Sequence, residues 1–246
     1  MQPGLKLSKF MCSQTPEEAQ KMKNAPYLNA VGSLQYLATI TCPDIAYAVS
    51  CLARFNSMPG PKHWAAVKHL LHYCKGTIDY KLQYSGQLST DLFATFCDAS
   101  HGDCLDTGQS TGGYLTTLGR AAIGWSSKLQ SFVTLFTTEA EYIAAVKAGK
   151  EIMWMRNILE EMGYTSKLPS PLHIDNQSAL SVTKNPEHHG WMKQLDLFFF
   201  WLRDVVDKKQ ILPCHIAGAE QVADLLTKAL HLSKIQFCRQ RMGIIA

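Results

Sequence analysis

"TTEAEYIAAVKAG", residues 137–149, opens a long helical pattern that runs from Thr138 to about Met162, and the orientation of its two glutamates decides what kind of fold surrounds it. A helix turns by roughly 100° per residue, so Glu139 and Glu141 leave the axis in nearly opposite directions, one toward packed neighbours and one toward water. Steps of three and four from Glu141 pass through Ala145, Ala148, Ile152, Met155 and Leu159. After its first member that stripe is wholly apolar, and its two alanines let the helix lie close on a sheet. The stripe from Glu139 passes through Ile143, Val146, Lys150 and Met153 and so carries a lysine. The pattern therefore turns Glu141 inward, where a carboxylate is costly unless a cation compensates it. The alternative is a first-turn glutamate that complements the helix dipole.

On either side of this helix the chain changes texture. Upstream, "LFATFCDAS", "TGGYLTTLG" and "AAIGWSS" read as strands, with turn residues at Gly119–Arg120, and "FVTLF" fits a short edge or hairpin strand. Downstream, "PLHID" reads as a short strand leading into a short helix, "NQSALSVTK". The apolar "MKQLDLFFFWLRDVVDKK" reads as helix, "ILPCHIAG" as strand and "AEQVADLLTKAL" as the last helix. Strands, helix, strand, helices, strand and helix make a mixed α/β layout. The first ~80 residues are mainly helical instead, with a short helix capped by Thr15, then helices over 27–40, 42–58 and 62–77. The last of these carries Trp64, Val67, Leu70, Leu71 and Cys74 on one stripe and ends at Gly76. The polar stretch "SGQLSTD" (85–91) marks a boundary, which divides the chain into a helical segment (1–88), an α/β domain (89–232) and a C-terminal tail (233–246).

Composition narrows the class without naming a function. The 246 residues are 46% hydrophobic and 18% charged, enough for a substantial core. A net charge of +4 permits nucleic-acid binding but does not argue for it. The eight cysteines form no CxxC pair, which fits scattered reduced thiols rather than a disulfide frame or a zinc site. No run of about 18 apolar residues suggests a membrane span, and "MQPGLKLSKF" lacks the apolar core of a signal peptide, so a cytoplasmic or nuclear location is expected.

Further acids sit where such a fold collects them. Asp98 lies at or just past the end of the first strand, Asp175 ends "PLHID", and Asp224 lies near the start of the last apolar helix. Singly, each suits a turn or a helix dipole. Strand-end acids in α/β sheets also gather where those sheets bind ligands. Four carboxylates brought together repel one another, and divalent cations relieve that repulsion. Oxygen ligands without His or Cys select Mg²⁺ or Mn²⁺. Two such ions about 4 Å apart activate water and stabilise the leaving oxygen of a phosphodiester.

The string "DASHGD…STGGY…AAIGWSSKLQ…TTEAEYIAA…KEIMWMRNILEEMG…IDNQSA…NPEHHG…MKQLD…ADLLTKAL" closely resembles the ribonuclease H domain that ends copia-type retrotransposon polyproteins. The region from "YLNAVGSLQYLATITCPDIAYAVSCLARF" to "YCKGT" resembles the stretch linking the reverse-transcriptase thumb to that domain. The resemblance implies a ribonuclease H-like fold, a five-stranded mixed sheet with helices on both faces. It implies a catalytic and metal-binding set of Asp98, Glu141, Asp175 and Asp224, two Mg²⁺ ions that Mn²⁺ can replace, and hydrolysis of the RNA strand of an RNA–DNA hybrid. Asp98 would bridge both ions, Glu141 and Asp175 would hold the leaving-group ion, and Asp224 would hold the ion that activates water. Substrate contacts are implied at Ser100, Thr138, Asn176, Gln177 and Lys193, and an accessory role at His189. No "YxDD" box and no adjacent aspartate pair occur. A polymerase site is therefore not expected in this chain, which reads as the C-terminal fragment of a polyprotein whose fingers and palm are its natural partners.

Cys42 stands where that family usually has a basic residue before the proline. Trp191, Gln194 and Phe198 replace residues that are typically Arg, His and Arg. Phosphate contacts supply much of hybrid affinity, so weaker binding is expected. A hybrid dissociation constant for Phe198→Arg that shows no gain at low salt would refute this. These losses also fit a retroelement remnant that keeps the fold and cuts poorly. Against that stand four surviving acids. An integrase-like D-D-E order does not fit, because the glutamate comes second. The run "LFFFWL" (197–202) reads as a buried helix or as a surface that met the rest of a polymerase.

Overall fold

The computed structural model describes residues 1–86, 93–166, 168–184 and 196–246. His189, Trp191, Lys193 and Gln194 lie outside the described residues, as does the side chain of Phe198.

The N-terminal part holds α1 (Pro16–Lys23), α2 (Tyr27–Ile40), α3 (Ala46–Ala53) and α4 (Pro61–Gly76). Thr15 caps α1 by accepting from the Glu18 amide at 3.2 Å, and Pro16 sits where no amide donor is needed. The helix expected over 42–58 is shorter. Pro43–Ile45 forms a 3-10 turn, and after Ala53 the chain bends so that Phe55 stacks on the buried His63 ring, 4.0 Å between centroids. Tyr27, Val31, Leu34, Val49, Leu52, Val67 and Leu70 share one core. Leu71 is 39% exposed rather than part of that stripe, because one further residue rotates it off the buried face. The outer side of α2 leaves Leu28, Tyr36 and Ile40 in solvent.

The short strand β1 (Lys81–Leu82) is followed by β2 (Ala94–Ser100), β3 (Thr111–Leu118) and β4 (Ala121–Leu129). The hairpin between β3 and β4 turns on Gly119 and Arg120, with φ of 56° and 65°. Two successive left-handed residues suit the twist of the strands, and glycine adopts that conformation without strain. Next come α5 (Thr137–Glu161), β5 (Ser170–Ile174), α6 (Gln177–Lys184), α7 (Asp196–Asp207) and β6 (Ile211–His215). The chain closes with α8 (Leu232–Arg241) and β7 (Ile244–Ile245), which pairs antiparallel with β1.

Five strands form one mixed sheet in the order β4-β3-β2-β5-β6. The first three are antiparallel, and β2, β5 and β6 run parallel. On one face, Cys97, Ala99, Leu172 and Ile174 pack against Ala145, Ala148 and Ile152 of α5. The small alanines let the helix approach the strands closely. On the other face, Leu115 and Ala122 meet Val222, Leu225, Leu226, Cys238, Met242 and Ala46. There Trp125 donates to the Ala38 carbonyl at 2.6 Å, tying the helical segment to the sheet. In α7, Leu202 and Val205 are buried while Phe200 is 64% exposed.

Two expected elements are absent as such. "FVTLF" is no strand. Its backbone serves the following helix and a neighbouring loop: Leu135 and Phe136 donate to the Glu139 carboxylate, and the Thr134 carbonyl lies 3.1 Å from His101 Nε2. "AEQVADLLTKAL" folds as two 3-10 turns, Gly218–Glu220 and Ala223–Leu226. Val222, Ala223, Leu225 and Leu226 are all buried, and no single helix face can bury near-consecutive residues against one sheet.

Candidate metal centre

The parallel pairing of β2 with β5 sets Phe96 opposite His173. Two residues further along each strand come Asp98 and Asp175, at the carboxyl ends where open α/β sheets present ligand groups. Glu141 arrives from the second turn of α5. That end of the helix is held by Glu139, whose carboxylate accepts from the amides of Leu135 at 2.8 Å and Phe136 at 3.4 Å. Glu139 therefore does not face water as its opposite direction suggested. It is 7% exposed and Glu141 4%, because the helix start needs an acceptor for its unpaired amides.

One oxygen from each of Asp98, Glu141 and Asp175 lies within 4.8 Å of the other two. Burial, then the charges of Asp98 and Asp175, push the Glu141 carboxyl up to about 9, against the smaller pull of Lys228 and the Ala99 amide. Burial raises Asp98 above the usual carboxylate range, although Lys228 opposes the rise. Asp175 is raised by burial and then by Asp98. Glu141 Oε2 is buried with no hydrogen-bond partner among the described residues. Crowded carboxylates with an unsatisfied oxygen and no sulfur or imidazole donor fit a hard divalent cation.

Asp224 stands apart from this trio. It lies in the Ala223–Leu226 turn, where Lys228 Nζ reaches its Oδ1 at 2.7 Å and Lys234 Nζ lies 3.5 Å from its Oδ2. The same Lys228 ammonium is 3.2 Å from Asp98 Oδ2, which also accepts from the Thr227 hydroxyl. These carboxylates raise the Lys228 pKa in spite of its burial. Gln221 fastens the segment to β2 by donating to the Cys97 carbonyl at 2.9 Å. Opposite Asp98 in the sheet is Gly113. A Cβ there would lie 2.8 Å from Leu226 Cβ and 2.9 Å from Thr227 Cγ2, so glycine permits the close approach that brings Thr227 to Asp98.

Of the other residues singled out from the sequence, Ser100 follows Asp98 by two positions and lines a cavity of about 190 Å³ with Arg54, Asp103 and Lys228. Thr138 precedes Glu141 by one turn of α5. Asn176 and Gln177 follow Asp175 directly, and Asn176 Oδ1 caps α6 by accepting from Ala179 at 2.9 Å. Sequence reasoning missed Gln221, Thr227 and Lys228. The four-residue spacing of Asp224 and Lys228 was visible, but a spacing within one segment does not say that the lysine also meets Asp98.

The strand order, the long helix on one face and the carboxylates at the strand ends define a ribonuclease H-like domain, preceded by a helical segment. Over nearly its whole length the chain is homologous to retrovirus-related Pol polyproteins of copia-type transposons. It is 41% identical over 240 residues to the Pol polyprotein from transposon TNT 1-94 of Nicotiana tabacum, covering 98% of this chain and 18% of that polyprotein. It is 36% identical over 219 residues to the Pol polyprotein from transposon RE2 of Arabidopsis thaliana, covering 89% of this chain and 15% of that one. The chain thus spans less than a fifth of the length of these relatives. No family model matches it. Among solved structures, LC11-RNase H1 in complex with an RNA/DNA hybrid aligns at 14% identity and a TM-score of 0.42, over 55% of this chain and 93% of that one.

Proposed function

We propose that this chain is the ribonuclease H part of a copia-type reverse transcriptase, a metal-dependent endonuclease that hydrolyses the RNA strand of RNA–DNA hybrids. The observation that carries the reading is the convergence of Asp98, Glu141 and Asp175 within 4.8 Å, with an unpartnered Glu141 oxygen among them. These three acids would hold one Mg²⁺, and Asp98 with Asp224 a second, with Mn²⁺ able to replace either. Bound ions of this kind supply activation of water and stabilisation of the leaving oxygen, which gives a 3′-hydroxyl and a 5′-phosphate.

The chain's own residues do the rest. Asp98 is fixed by Thr227 and by its strand, so its carboxylate keeps one orientation. Glu141 accepts a hydrogen bond from a ribose 2′-hydroxyl, which selects RNA over DNA. Ser100, Thr138, Asn176, Gln177 and Lys193 contact the hybrid, and His189 has an accessory role. The fingers and palm of the parent polyprotein are the expected protein partners. Among the described residues no helix is long and apolar enough to cross a membrane, and the reading sets the reaction in cytoplasm or nucleus.

A second reading, a remnant that holds hybrid without cutting it well, is favoured by the two lysines that engage Asp224. One experiment separates them: cleavage of a labelled RNA–DNA hybrid in Mg²⁺ and in Mn²⁺, with Asp175→Asn alongside. Metal-dependent cutting of the RNA strand that disappears in the variant supports the nuclease. A folded protein that cuts in neither metal refutes it.

A further inference from the structure

The four acids are not equally available to cations. The Asp98–Glu141–Asp175 side keeps an unpartnered oxygen, whereas the Asp98–Asp224 side is bridged by the Lys228 ammonium at 3.2 and 2.7 Å. The carboxylates there are held in place, with side-chain exposures of 1% for Asp98 and 12% for Asp224. The lysine, 40% exposed, is the partner with room to leave. It has somewhere to go. Lys228 lines the cavity of about 190 Å³ that also contains Asp103, whose Oδ1 is buried without a hydrogen-bond partner among the described residues. The other Asp103 oxygen accepts from Thr111 at 3.0 Å, and Thr111 accepts at 3.1 Å from Arg54, which caps the end of α3. The helical segment thereby helps to build that cavity.

We infer that Lys228 is a tethered counter-cation with two positions. Without divalent ions it holds Asp98 and Asp224 together, and it moves toward Asp103 when an ion is taken up between them. This rests on the metal-binding reading above and adds an order to it. The first ion binds the trio, where Glu141 Oε2 has no partner among the described residues and the ammonium reaches only Asp98, and the second must displace that ammonium from both Asp98 and Asp224. Lys234, anchored on the carbonyls of Gly218 at 3.0 Å and Ala219 at 2.6 Å, stays in place.

The test is a calorimetric Mn²⁺ titration of the full chain without hybrid, paired with thermal unfolding in chelator, for the unmodified protein, K228M, K228R and D103N. The unmodified protein should show two binding events, the second weaker. In K228M the second event should strengthen by about tenfold or more, since a unit charge within 4 Å no longer competes. The same variant should unfold at a lower temperature in chelator, a loss that K228R avoids and Mn²⁺ repairs. D103N leaves the lysine pairs intact and should weaken the second event alone. Unchanged second events in both K228M and D103N, with Mn²⁺ still bound at the trio, would overturn the inference and leave the metal reading standing. No Mn²⁺ binding by any of the four proteins would overturn both.

Discussion

Replacing Glu141 by Gln should make the metal-free protein less sensitive to pH. In the folded chain the Glu141 carboxyl keeps its proton to about pH 9, whereas its ordinary value is 4.5. Between those values the folded state binds more protons than the unfolded one. Stability is therefore fully present below about pH 4.5 and is lost as pH rises toward 9. Each pH unit in the window is worth about 1.36 kcal/mol, so the rise from pH 5 to pH 8 removes at most about 4 kcal/mol. Water reaches the site at half-buried Asp175, which damps the effect, and roughly 2 kcal/mol is expected. The assay is urea unfolding in chelator at intervals from pH 5 to pH 8. Glu141→Gln should lose roughly 2 kcal/mol less than the unmodified protein across that range. Parallel profiles would show that the carboxyl is not the strained group. Mg²⁺ should reverse the slope in the unmodified protein, because an ion takes the ionised carboxylates and releases protons. The reversal should fail in the variant.

Two further substitutions probe how the site is held. Gly113→Ala forces a methyl against Leu226 and Thr227, so it should cost about 1–3 kcal/mol in urea unfolding and also reduce hybrid cleavage through displaced Thr227; normal stability and normal cleavage together would contradict the close approach. Glu139→Ala removes the acceptor at the start of α5 and should cost about 1 kcal/mol, read from the same unfolding curves, with hydrogen exchange faster at Leu135 and Phe136.

Much of this was legible without coordinates. The apolar stripe from Ala145 to Leu159 turned Glu141 inward, and it is buried against the sheet. "LFATFCDAS", "TGGYLTTLG" and "AAIGWSS", read as strands with a turn at Gly119–Arg120, fall on β2, β3 and β4. These are local signals, because a helix or hairpin is specified by neighbours within a few residues. "AEQVADLLTKAL" misled for the opposite reason. Its composition favours helix, but the five consecutive residues from Val222 to Leu226 are all buried, and tertiary packing overrides propensity.

By itself, then, the sequence determined which acids stand at strand ends, which face of the long helix carries Glu141, and the likeness to copia-type Pol polyproteins. The tertiary structure alone decided that Asp98, Glu141 and Asp175 crowd within 4.8 Å of one another while Asp224, outside that trio, is bridged to Asp98 by Lys228. The reason is physical: charges separated by tens to more than a hundred residues interact only through the distances that packing sets. A four-residue spacing cannot announce that Lys228, 130 positions from Asp98, ends at its carboxylate.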